Sequence, residues 1–263
     1  MNYTEHNAKA WDVIGEGSSE DGRAQFTQMI SHEDYLRAKE GLLQVSLTSS
    51  KYVPENWFPS LKGKKILGLA CGGGQQGPVF AAHGADVTII DISPRQLENE
   101  KLAAKREGIT TLLCDMEKTL PFDDNSFDII FNPVSNCYIE NILPVWKECA
   151  RILKTGGILM MGYVKEEHFM FEPDFSKDQA LTTIYKLPFH SLRDLSEEKK
   201  QKMLKNHEPL LFSHSLTEQI GGLIKAGFLI TDLYEDGDGG GLFDQYMNSY
   251  VAVRAVKAQF RMA

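Results

Sequence analysis

The stretch FLITDLYEDGDGGGLFDQYMNSYVAVRAV, Phe228–Val256, decides which fold the rest of the chain can adopt. FLITDLYED (228–236) reads as a strand, DGDGGG (236–241) as a turn and YMNSYVAVRAV (246–256) as another strand. About ten residues join them, too few for a crossover helix, so the two strands are expected to run antiparallel. A parallel sheet that closes on an antiparallel hairpin is not the usual dinucleotide-binding architecture.

Upstream, strand and helix patterns alternate. KKILGLA (64–70) is a short apolar run ended by glycines, the pattern of a buried strand. GPVFAAHG (77–84) follows as a short helix and ADVTIIDIS (85–93) as a second buried strand. Ser93-Pro94-Arg95-Gln96 combines an N-cap, a proline at the first helical position and a glutamine at the third. A helix therefore starts there and runs to about Glu107, before Gly108. TTLLCD (110–115) and SFDIIFNPV (126–134) are the third and fourth strands. Ile142–Leu153 is a helix stopped by Gly156-Gly157, and ILMMGYV (158–164) is the fifth strand. Ser215-Leu216-Thr217-Glu218 is a capping box opening a helix that Gly227 closes. The repeats predict an α/β, Rossmann-like, seven-stranded, mostly parallel sheet with an antiparallel last strand and helices on both faces.

Four segments follow from this pattern. Residues 1–62 form an N-terminal helical extension or cap. Within it HEDYLRAKEGLLQVSL (32–47) reads as a helix with Tyr35, Leu36, Leu42 and Leu43 roughly on one face, and VPENWFPSLKGK (53–64) as a connector. Residues 63–164 are the binding core. Residues 165–210 hold Phe169, Phe171, Phe175, Tyr185 and Phe189 among prolines and charges, and read as a helical or irregular cap inserted over one edge of the sheet. Residues 211–263 supply the last helix and the hairpin that completes the sheet.

Composition narrows the function classes. The chain has 263 residues, 42% hydrophobic and 24% charged, enough for a globular core. Its 28 basic and 36 acidic residues leave a net charge of −8, which repels phosphate backbones, so no nucleic-acid partner is expected. No apolar run is long enough to cross a bilayer, so no membrane partner is expected. Cys71, Cys114, Cys137 and Cys149 form neither a C-x-x-C pair nor a zinc pattern. No metal is expected, and a cytoplasmic location is. The oligomeric state stays open.

The turn LACGGGQQGP (69–78) holds the chemistry. Gly72, Gly74 and Gly77 satisfy G-x-G-x-x-G, a spacing that many cofactor sites share. A turn at the end of a strand, followed by a helix N-terminus, presents backbone N–H groups and the positive end of a dipole. Glycines at 72, 73 and 74 let a ligand lie against the backbone. Asp91 ends the second strand, where a carboxylate accepts ribose hydroxyls.

The full pattern, KILGLACGGGQQGPVFAAHGADVTIIDISPRQL (65–97), CDM (114–116), LPFDDNSFDIIFNPVSN (120–136) and RILKTGGILMMG (151–162), resembles the small-molecule, type 11-like branch of the class I S-adenosylmethionine-dependent methyltransferases. The resemblance implies methyl transfer from S-adenosylmethionine by in-line displacement to a small-molecule acceptor through O, N, S or C. S-adenosylhomocysteine is the product. By the same resemblance Ala70, Cys71, Gly72, Gly73 and Gly74, with Gln75 and Gln76, cradle the methionine half. Asp91, Ile92, Ser93 and Gln96 serve the ribose side. Asp115 reaches the adenine amino group, and Met116 and Ile92 sandwich the purine. Asn132, Pro133 and Val134 close the site after the fourth strand, and the cap at 165–210 covers the acceptor. Trp11, Tyr138 and His214 are acceptor-pocket candidates, and no general base is assigned. The chain departs from the family pattern at Gly68, where an acidic residue is common, and at Ala70, which replaces the first glycine. Two alternatives remain at this point: a methyltransferase-like protein that binds cofactor without turnover, and an NAD(P)-linked oxidoreductase.

Overall fold

A computed structural model describes residues 2–17, 27–105, 107–171 and 181–259. Strands β1 (Lys65–Leu69), β2 (Asp86–Asp91), β3 (Thr110–Leu113), β4 (Phe127–Asn132), β5 (Leu153–Val164), β6 (Phe228–Asp236) and β7 (Tyr250–Lys257) form one sheet in the order β3-β2-β1-β4-β5-β7-β6. β1 pairs in parallel with β2 and β4, β2 with β3, and β4 with β5. β7 runs antiparallel to both β5 and β6, as the terminal stretch predicts. An inserted antiparallel strand sets this sheet apart from the usual dinucleotide-binding order and removes the basis for the oxidoreductase reading.

Both faces of the sheet are covered, which explains why the strands read as unbroken apolar runs. Side chains alternate between two cores. Leu67, Ile90, Ile130 and Met161 pack on one side with α5 (Leu143–Ile152), through Trp146 and Cys149, and with Leu223 of α8 (Gly222–Lys225). Their neighbours Ile66, Ile89, Ile129 and Met160 face the other core, with Val79 and Phe80 of α3 (Gly77–Ala82), Leu97 of α4 (Pro94–Ala103) and Trp57. The helix starts read from the sequence form as capping chemistry dictates. Ser93 Oγ accepts the Gln96 N–H at 3.1 Å, and the Ser215 N–H donates to Glu218 at 2.9 Å.

Two helices frame the entrance. α1 (Tyr3–Gly15) buries Asn7, Ala10 and Ile14, and α2 (His32–Lys39) buries Tyr35 and Ala38. The helix expected over 32–47 ends at Lys39, because Gly41 turns the chain at φ +106°. Leu36 and Leu42 are consequently exposed, at 47% and 43%, while Val45 and Leu47 are buried in an extended strap. The segment between β5 and the last helix holds α6 (Ser191–Asp194) and α7 (Glu197–Lys205). Phe169, Phe189 and Leu195 form a small core there, against Val134, Tyr138 and Val164. Phe175 lies outside the described residues.

Other boundaries shift too. α4 ends at Ala103 rather than about Glu107. Gly156 and Gly157 do not follow a helix end directly: α5 stops at Ile152, and β5 begins at once. The pairing jumps from Phe127–Leu153 to Ile129–Ile158, so both glycines sit in a bulge, with Gly156 at φ +76°. β7 starts at Tyr250 rather than 246, after a 3-10 turn at Leu242–Gln245.

Candidate functional site

A cleft of about 650 Å³ opens at the carboxyl ends of β1, β2 and β4, a size suited to a small-molecule cofactor and its partner. Ala70, Cys71, Gly72, Gln75 and Gln76 line it from the turn after β1. Asp91, Ile92 and Gln96 line it from β2 and α4, Asp115 and Met116 from the loop after β3, and Pro133 and Val134 from the end of β4. Gly73, Gly74, Ser93 and Asn132 do not line it.

The turn differs from the expected row of free N–H groups, because α4 packs directly against it. Gly72 donates to Asp91 Oδ2 at 3.0 Å, Gly73 to the Gln96 carbonyl at 2.9 Å, and Gly74 to Glu100 Oε2 at 2.6 Å. A Cβ on Gly72 would lie 2.7 Å from Gln96 Cβ. Gly73 and Gly74 hold φ +109° and +80°, which side-chain-bearing residues rarely adopt. These glycines therefore let the helix approach as much as any ligand. Ala70 also sits in the left-handed region, at φ +48°. The missing family acid has a local cause. A side chain at Gly68 would collide with Ile89 and lie 3.1 Å from Cys71 Cβ.

Asp91 is the electrostatic centre. Its Oδ1 accepts the Ser93 N–H at 3.0 Å and its Oδ2 the Gly72 N–H. Burial pushes its carboxyl up to about 6, against the lowering effect of these N–H groups and with a further push from the Asp12 carboxylate. A carboxylate offers about four acceptor positions, so capacity remains toward the cleft. Asp115 Oδ1 accepts the Glu117 N–H at 2.9 Å, while among the described residues Oδ2 faces Lys118 Nζ, 4.0 Å away. Asn132 plays a supporting part from behind: its amide donates to the Leu69 carbonyl and to Ser135 Oγ, both at 2.8 Å.

Sequence reasoning missed Asp12. From α1 it accepts from Ser93 Oγ at 2.6 Å and from the Arg95 N–H at 3.0 Å, a second cap on α4. Gln96 adds a bond to the Trp11 carbonyl, and Asn99 one to the Gly15 carbonyl. Asn7 is buried and satisfied by the Tyr138 and Leu210 backbones. The N-terminal helix is thereby fastened across the cleft mouth. Nothing local in the sequence signals these contacts, which span 80 positions or more.

Of the acceptor-pocket candidates, Trp11 and Tyr138 line the cleft together, with rings edge to face at 5.0 Å. His214 does not line it. It is buried, with Nε2 set against the carbonyls of Asn136 and Ile139 at 3.1 and 2.9 Å, so its work is to hold the turn after β4. None of the described residues in 165–210 lines the cleft; Val164 and Tyr250 do, and much of the remaining wall comes from 27–52. The strap in that wall is anchored by Asp236, which accepts from Thr48 Oγ at 2.8 Å and from the Ser50 and Lys51 N–H groups at 2.9 Å. No helix among the described residues is long and apolar enough to cross a membrane, and no described group of acidic, His or Cys side chains is arranged to hold a metal.

Comparison with known proteins agrees with this geometry. Residues 67–161 match a family model described as a methyltransferase domain. The uncharacterised methyltransferase YbaJ of Bacillus subtilis (strain 168) is 44% identical over 254 residues, covering 96% of this chain and 97% of its own. An S-adenosylmethionine-dependent methyltransferase from Mesorhizobium loti shares the fold, with a TM-score of 0.62 at 18% identity over 76% of this chain and 94% of its own. So does the geranyl diphosphate C-methyltransferase of Streptomyces coelicolor A3(2), solved with S-adenosyl-L-homocysteine, with a TM-score of 0.51 at 17% identity over 75% of each chain. The cleft at the strand ends, the antiparallel β7 and the full-length relative together identify the chain as a class I S-adenosylmethionine-dependent methyltransferase.

Proposed function

We propose that the chain methylates a small-molecule acceptor in the cleft between Asp91 and the strap at 45–52, as a transferase of one-carbon groups. The observation that carries the reading is the Asp91 carboxylate. It lines the cleft at the end of β2 and has acceptor capacity beyond its bonds to Gly72 and Ser93, which suits the two hydroxyls of a ribose. Asp115 has an oxygen suited to an adenine amino group, and Ile92 and Met116 suit the purine faces. Gln75 and Gln76 would serve the methionine carboxylate in place of turn N–H groups that α4 already occupies. The carboxylates of Asp34, Asp91 and Asp115 suit a ligand that carries a positive sulfonium.

Bound there, S-adenosylmethionine supplies an electrophilic methyl group, and the acceptor atom displaces the sulfur in line. The contribution of the protein is alignment and exclusion of water. Trp11 and Tyr138 give the acceptor a rigid aromatic wall, and the strap holds the opposite side. The chain's acidic charge disfavours a nucleic-acid acceptor, and its free cysteines agree with a reducing cytoplasm.

Calorimetry with S-adenosylmethionine and S-adenosylhomocysteine, followed by an acceptor screen with radiolabelled methyl donor, tests the reading. Binding of both and label transfer to a small molecule are expected. Binding of neither overturns it, and binding without transfer across a broad screen would leave a cofactor-binding protein.

A further inference from the structure

Glu100 sits behind the glycine turn and does not line the cleft. It is fully buried, at 0% exposure, on the face of α4 turned toward Gly74 and Gly77. Oε2 accepts the Gly74 N–H at 2.6 Å. Oε1 has no hydrogen-bond partner among the described residues. It lies so close to the Gly77 Cα that a Cβ there would collide with it, with Ile109 on the same spot. The titratable groups facing it are the Asp91 carboxylate on β2 and the Cys71 thiol in the turn, and both make a negative charge at Glu100 less favourable or are themselves disfavoured by it. No described cation pairs with it. An ionised carboxylate in this position would leave one buried oxygen without a donor among the described residues, which disfavours the charged form. Burial pushes its carboxyl up to about 8, which agrees with the geometry.

We propose that Glu100 is a positioning residue: as a neutral acid it braces Gly74 and Gly77, and so holds the turn from Ala70 to Gln76 in the shape that receives the methionine half of the cofactor. The proposal rests on the cofactor site assigned above. It accounts for Gly77 without any ligand contact at that glycine. It also explains why α4 carries an acid on its buried face, where periodicity calls for an apolar residue.

The brace has a signed pH dependence. The carboxyl of Glu100 is raised from its ordinary 4.5 to about 8, so the stability it contributes is fully present below pH ~4.5 and is lost as pH rises through about 8. Glutamine keeps the acceptor for Gly74 and cannot ionise.

The test compares wild type, Glu100→Gln, Glu100→Ala and Asp91→Ala. Glu100→Ala should weaken S-adenosylhomocysteine binding about tenfold, as expected when one buried N–H loses its partner. Glu100→Gln should stay within about twofold of wild type at pH 7 and should hold its melting temperature between pH 7 and 9, where wild type declines. Wild-type affinity in Glu100→Ala, or Glu100→Gln as weak as Glu100→Ala, overturns the proposal. If Glu100→Ala does not fold, coincident melting profiles of wild type and Glu100→Gln from pH 7 to 9 overturn it instead. Asp91→Ala separates the two claims. If it weakens binding while Glu100→Ala does not, only the brace fails; if neither matters, the site assignment fails.

Discussion

Around Asp91 the cleft is built mainly by residues 65–116, a run of chain in which each strand end is followed at once by the turn or helix that completes it. Around Trp11 and Thr48 it is built by α1, the strap, the turn after β4, the end of β5 and the start of β7, which meet only in three dimensions. The first half is held by local geometry: α4 lies against the glycine turn and is capped by its own Ser93. The second half is held by polar contacts between distant segments: Asp12 and Asn7 tie down α1, and Asp236 anchors the strap. A cofactor common to a family suits the first construction. An acceptor that differs between members suits the second, because its walls can change without disturbing the sheet.

This contrast can be broken experimentally. The largest effect is expected from Asp91→Ala, which should weaken S-adenosylhomocysteine binding about a hundredfold by removing the proposed charge-assisted bonds to two hydroxyls. Calorimetry at neutral pH reads it. Asp236→Ala should destabilise the fold by about 2 kcal/mol, since it strands Thr48 and two backbone N–H groups. It should raise the acceptor KM while leaving cofactor affinity nearly unchanged; an equal loss of both would erase the distinction between the halves.

A smaller effect comes from pH. In the proposed site the ribose hydroxyls donate to ionised Asp91, whose carboxyl is raised to about 6 in the free protein. Cofactor affinity should therefore rise as pH increases from 5 to 7, by about tenfold, and level off above. Asp91→Ala should flatten that profile. The smallest effect is expected from Trp11→Ala, which removes a ring from the proposed acceptor wall but keeps the Trp11 carbonyl that Gln96 uses. The acceptor KM should rise several-fold, a loss of about 1 kcal/mol, with S-adenosylhomocysteine affinity within about twofold.

The same division governs what could be read from the sequence. The terminal hairpin, the Ser93 cap and Asp91 are legible because spacing along the chain equals proximity in space. Glu100 was legible in principle. On α4 the positions 93, 96, 97 and 100 share one face, and an acid there among Leu97 and Gln96 marks a buried polar contact. Asp12 and Asp236 carry no such mark, because their partners lie 81 and 188 positions away. His214 misled for the complementary reason. A histidine beside a capping box at the strand ends suits an acceptor site, but two backbone carbonyls claim its ring. The helix expected at 32–47 failed at one residue, Gly41, whose positive φ turns an apolar helical pattern into a strap.

The most direct test is a crystal structure with S-adenosylhomocysteine bound. Both ribose hydroxyls are expected on the Asp91 carboxylate, the adenine amino group on Asp115, and the sulfur facing Trp11, Tyr138 and the strap. A ribose held elsewhere, with Asp91 still bonded only to Gly72 and Ser93, would contradict it.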